Sequence, residues 1–151
     1  MKTIFLSIFI ILVQFGSGQT KSETKNWIKF KFESGGLTGI QKYDIYFIGE
    51  YLKIRNETSL AGSLYVGEYR VKIKCISNFY FKDYEKSLHL IIKTLPNCKI
   101  QYTDLSGVSD KNYVELIFDK SFANNDMKNR FTKAMNNLFK YYGGSVVKEV
   151  Y

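Results

Sequence analysis

The sequence predicts an α+β domain: six or seven antiparallel strands forming a sheet or barrel that a C-terminal amphipathic helix closes. Two observations carry this. Residues 125–142 place Met127, Phe131, Ala134, Met135, Leu138 and Tyr142 on one stripe of a 3.6-residue period, with Lys128, Arg130, Lys133, Asn137 and Lys140 over the rest of the surface. Between residues 43 and 119, short runs rich in β-branched and aromatic residues alternate apolar and polar side chains, separated by turn residues. Strands followed by one closing helix indicate segregated α+β rather than a parallel βαβ sheet.

The elements follow in order. Met1–Gly18 reads as a signal peptide, with Lys2 as its positive region, Ile4–Phe15 as its apolar run and Gly16-Ser17-Gly18 as the small-residue cleavage context before Gln19. The apolar run falls short of the roughly 20 residues that span a bilayer. This predicts an exported protein, periplasmic or extracellular, with one domain over 19–145 and a loose tail over 146–151. In Thr20–Glu33, Ile28, Phe30 and Phe32 alternate with Lys29, Lys31 and Glu33, so periodicity alone favours a strand from Trp27 onward. A helix is the alternative, with Thr20 or Ser22 as its cap and Glu23 in its first turn. Glu33–Gly39 is a glycine-rich loop without the Lys-Ser/Thr of a phosphate loop.

Tyr43–Ile48 and Tyr51–Asn56 read as strands joined at Gly49-Glu50, with Ser59–Ser63 as a loop. Tyr65–Ile76 reads as one long strand, with Tyr69, Val71, Ile73 and Cys75 on one face and Arg70, Lys72 and Lys74 on the other. Asn78–Ser87 reads as a connection, Leu88–Thr94 as a strand and Leu95-Pro96-Asn97 as a turn. Cys98–Thr103 reads as a strand, Asp104–Lys111 as a loop and Tyr113–Asp119 as the last strand. Asn125 or Asp126 can cap the final helix, and Gly143-Gly144 supplies the left-handed residue that ends it.

The formal net charge is +8, falling to +7 when Lys2 leaves with the leader. Such a balance favours anionic partners, here anionic polysaccharide or lipid head groups. Arg70, Lys72 and Lys74 are the candidate anion-binding residues. The 12 Tyr, 12 Phe and single Trp interleave with lysines, yet no aromatic RNA-binding signature occurs, and nucleic acid ranks low. The sequon Asn56-Glu57-Thr58 matters only in a host that glycosylates such sites. Cys75 and Cys98 are the two cysteines. An even count in an exported chain favours a disulfide between them over two buried thiols.

Chemistry-bearing motifs are missing. His89 is the only histidine, and no Ser or Cys stands at a recognised spacing from it. The exported part contains no Gly-x-Ser-x-Gly elbow, and a His-Glu-x-x-His zinc motif needs two histidines. Glu115, Asp119 and Asp126 are near one another only in sequence. Asp104, Asp110 and Asp119 do not follow a calcium-loop spacing. The expectation is a non-enzymatic binding or structural module, with no catalytic residue, no cofactor and no metal. The alternative is a small lipid or ligand carrier, with a pocket between sheet and helix lined by Tyr43, Tyr102 and Phe131. An enzyme would require a cleft holding His89 with a carboxylate in reach.

Strands closed by one helix resemble a pleckstrin-homology-like barrel, with a cystatin-like curved sheet as the alternative. The two ends carry a further resemblance. Glu23-Thr24-Lys25-Asn26-Trp27-Ile28 and Lys133-Ala134-Met135-Asn136-Asn137-Leu138-Phe139-Lys140, followed by Gly143-Gly144, resemble a group of small uncharacterised exported or cytoplasmic proteins common in Bacteroidota. That group often has His at the position of Asn137 and Cys near Tyr142, and this chain has neither. The resemblance implies a helix at Ser22–Phe32 and no activity.

Overall fold

The computed structural model describes residues 20–36, 39–122 and 125–144. The segments read from the sequence as a signal peptide, 1–18, and as a loose tail, 146–151, lie outside the described residues. Within them the chain is α+β, antiparallel throughout, with a C-terminal amphipathic helix packed on the strands, an arrangement consistent with the pleckstrin-homology-like reading. In order, α1 is Lys21–Glu33, β1 Gln41–Ile48, β2 Tyr51–Leu60, β3 Ser63–Lys72, β4 Ile76–Asp83, β5 Ser87–Thr94, β6 Ile100–Asp104, β7 Gly107–Lys111, β8 Tyr113–Asp119 and α2 Asn125–Tyr141. Among the described residues the strands number eight rather than six or seven, and they form two sheets. One has the order β1-β2-β3-β6-β7 and the other β4-β5-β8.

Several segments differ from the sequence reading. Residues 21–33 are a helix throughout, as the resemblance of the chain ends implies and against the strand from Trp27 that periodicity alone favours. A capping box starts it: the Glu23 amide donates to Thr20 Oγ1 at 3.2 Å and the Thr20 amide to Glu23 Oε2 at 2.8 Å. Thr24, Ile28 and Phe32, spaced by four, are its buried stripe. The reading of Tyr65–Ile76 as one strand is corrected: β3 ends at Lys72, and Ile73–Cys75 forms a 3-10 turn. The segment read as a connection from Asn78 is mostly β4, with a bulge between Ile76 and Asn78. Asp104–Lys111 is not a loop. It is the turn and second strand of the β6–β7 hairpin. Residues 59 and 60 extend β2, so the loop shrinks to the turn at Ala61-Gly62.

The core lies between the inner faces of the two sheets and the two helices. Sheet one contributes Tyr43, Ile45, Leu52, Ile54, Val71 and Ile100. Sheet two contributes Phe79, Leu88, Leu90, Ile92, Val114, Leu116 and Phe118. From α2 come Phe131, Ala134, Met135 and Leu138, as its stripe predicts, with Phe139 in addition. Phe131 is fully buried, and its ring neighbours Trp27, Phe32, Phe79, Phe81 and Phe122 within about 6 Å. Gly143 (φ 73°) ends α2, and the Gly144 amide returns to the Phe139 carbonyl at 2.9 Å.

Short bonds join the two sheets to each other and to the segment after α1. The Tyr43 hydroxyl accepts from the Ile117 amide at 2.9 Å, and the Asp119 amide donates to the Gly35 carbonyl at 3.0 Å. Gly36 is bridged to Phe118, and a Cβ there would run into the Gln41 carbonyl oxygen. Only glycine permits this approach of backbone to backbone.

Candidate functional site: a cationic groove beside the disulfide

At the end of β3 the pleat places Arg70 and Lys72 on the face opposite buried Val71. The alternation then stops. The Ile73 amide donates to the Glu50 carbonyl at 2.9 Å, and the chain tightens into the 3-10 turn. Lys74 therefore reaches its place by a turn rather than by the pleat. The turn ends at Cys75, which is bonded to Cys98 with Cα atoms 5.7 Å apart. The expected disulfide is thus present. It joins the end of the turn to the segment leading into β6, and the Leu95 amide adds a 2.9 Å bond to the Cys75 carbonyl.

These elements enclose a groove of about 660 Å³, lined by Tyr51, Arg70, Lys72, Lys74, the Cys75–Cys98 bridge, Asn97, Lys99, Gln101 and Asp110. The three cations chosen from the sequence are brought together, and the bridge forms part of the same wall. Sequence reasoning missed Lys99, Gln101 and Tyr51. Gln101 lies opposite Arg70 in the β3–β6 register, a pairing that no local pattern reveals. Tyr51 opens β2 opposite Lys72. Its ring centre lies 4.1 Å from the Arg70 guanidinium carbon and 5.6 Å from Lys72 Nζ. A ring face under a guanidinium holds the charge in place without neutralising it.

Compensation within the groove is incomplete. Glu50 meets Lys72 at 3.2 Å and Lys74 at 3.9 Å, so one carboxylate serves two ammonium groups. Its hydrogen bond raises the Lys72 pKa and keeps that ammonium charged. Among the described residues Arg70 and Lys99 make no ion pair. Lys99 Nζ donates to the neutral Asn112 Oδ1 at 2.6 Å. Both side chains are exposed. Four cations against Glu50 and Asp110 leave a positive surplus, on a wall that also offers the amides of Asn97 and Gln101.

The residues expected to line a carrier pocket sit differently. Tyr43 and Phe131 are packed inside the aromatic core. Tyr102 stacks on Tyr69, with ring centres 4.6 Å apart, over Gly67. No helix among the described residues is long and apolar enough to cross a membrane. Within the same residues, no three His, Cys, Asp or Glu side chains gather as a metal set. Comparison with protein-family models, curated proteins and solved structures gives no match to this chain.

Proposed function

We propose that this protein is an exported binding module that holds anionic groups of envelope polysaccharide or lipid in the groove between β3, the 3-10 turn and β6. One observation carries the reading: Arg70, Lys72, Lys74 and Lys99 line a single groove in which only Glu50 pairs with a lysine. Phosphate, sulfate and carboxylate groups are the chemistry such a surface recognises. The guanidinium offers a planar fork and the lysines offer compact charges.

The location rests on the leader-like Met1–Gly18 and on the disulfide. Titration with heparin oligosaccharide and with lipopolysaccharide tests the reading. The variant carrying Arg70→Gln, Lys72→Gln and Lys74→Gln is expected to lose at least tenfold in affinity. Equal affinity of the variant and the natural protein rejects the groove as the binding site.

A further inference from the structure

The outer face of the β4-β5-β8 sheet carries a second polar cluster, independent of the groove. β5 turns Leu88, Leu90 and Ile92 into the core, so Ser87 and His89, two residues apart, share the opposite face. Beside it, β8 places Ile117 opposite His89 and Glu115 opposite Ile91. Glu115 is thus the diagonal neighbour of His89 on the same face, within reach of a long side chain. Both ring nitrogens are bonded. Glu115 Oε1 lies 2.7 Å from Nδ1, and Ser87 Oγ lies 2.9 Å from Nε2.

The directions of these bonds follow from the partners. An ionised carboxylate only accepts, so it fixes the imidazole proton on Nδ1. In the neutral imidazole, Nε2 then keeps a lone pair facing the serine hydroxyl. The Tyr84 ring stands over the imidazole, with centres 4.2 Å apart, and restricts its rotation. The His89 side chain is only 16% exposed, and Ser87 is half-buried. Lys82, directly opposite His89 on β4, places a positive charge beside the cluster.

We propose that Ser87, His89 and Glu115 act as nucleophile, base and orienting carboxylate, and give this face an esterase-type activity toward small, unhindered acyl esters. Ser87 Oγ attacks the acyl carbon as its proton passes to His89 Nε2. The bond from acyl carbon to the leaving oxygen breaks, and that oxygen takes the proton as alcohol. Water then attacks the acyl-serine, again giving its proton to Nε2. The proton returns to Ser87 Oγ as the acid departs. Glu115 touches no reacting atom and is a positioning residue. The site stands on a sheet face, which admits compact esters and offers little grip on large ones. The sequence concealed the cluster because Glu115 is 26 residues from His89 and only the β5–β8 pairing brings it near.

The test uses protein recovered after expression of the full 151-residue sequence. It is treated with a fluorophosphonate probe and, separately, with p-nitrophenyl acetate, and the fold of each variant is checked by circular dichroism. The expected result is an adduct that mass spectrometry maps to Ser87, lost in Ser87→Ala and in His89→Gln and kept in Ser121→Ala. Ester hydrolysis should exceed that of Ser87→Ala at least tenfold. Glu115→Gln can donate to Nδ1 and so moves the ring proton to Nε2. It should lower kcat at least tenfold with KM unchanged, a split that a merely structural role would not produce. Absence of a Ser87 adduct in folded natural protein overturns the proposal, as does equal hydrolysis by the natural protein and Ser87→Ala.

Discussion

Tyr43 shows how one buried polar atom ties the two sheets together. Its ring is in the core, and its hydroxyl donates to Gln41 Oε1 at 2.9 Å while accepting from the Ile117 amide of the other sheet. Burial, which disfavours the phenolate, pushes its pKa up to about 12. An unfolded tyrosine titrates near 10, so above that pH the unfolded chain releases a proton that the folded chain keeps. The contribution is complete below pH 10 and fades as the pH rises toward 12, by about 2–3 kcal/mol in all. Urea unfolding between pH 9 and 12 should show this loss in the natural protein. Tyr43→Phe should flatten that pH dependence while lowering stability at pH 7 by about 1–3 kcal/mol, since the Ile117 amide loses its acceptor. An unchanged pH slope in the variant would assign the alkaline loss to other groups.

At the scale of elements, legibility followed the hydrophobic pattern. The stripe of α2 was readable because its buried positions recur at helical spacing, and Phe131→Ala should cost about 3–5 kcal/mol in a denaturation experiment. A loss under about 1 kcal/mol would mean that the stripe packs less tightly than its ring contacts imply. β7 was not readable. All five of its residues are exposed, so no apolar alternation marks it, and only its pairing with β6 makes it a strand. β4 was missed because the bulge at Ile76/Asn78 shifts the phase, burying Ile76 and then Phe79 instead of every second residue. α1 misled periodicity because its exposed Phe30 sits between buried Ile28 and Phe32, which imitates a strand. Its capping residues Thr20 and Glu23 were the better guide. The cations of the groove were legible as a type but not as a shape. Lys74 arrives by a 3-10 turn, Gln101 by a strand pairing across 31 residues from Arg70, and Lys99 from the segment just before β6.

For the whole molecule, the Cys75–Cys98 bridge closes a 23-residue separation that contains β4 and β5. Chain-entropy reasoning gives it about 3 kcal/mol of stabilisation. The double variant Cys75→Ser, Cys98→Ser should lose that amount in urea unfolding. It should also bind heparin more weakly, because Lys74 and Lys99 flank the bridge in the groove wall. Undiminished heparin binding by a folded double variant would show that the bridge does not help to place the cations. Net charge alone also draws a basic protein to a polyanion, so position must be separated from charge. The most direct measurement compares two charge-matched triple variants on heparin at rising salt. One carries Arg70→Gln, Lys72→Gln and Lys74→Gln, and the other Lys25→Gln, Lys29→Gln and Lys133→Gln on the helices. The groove account predicts that the first elutes at clearly lower salt than the second, which stays near the natural protein. Co-elution of the two variants would contradict it.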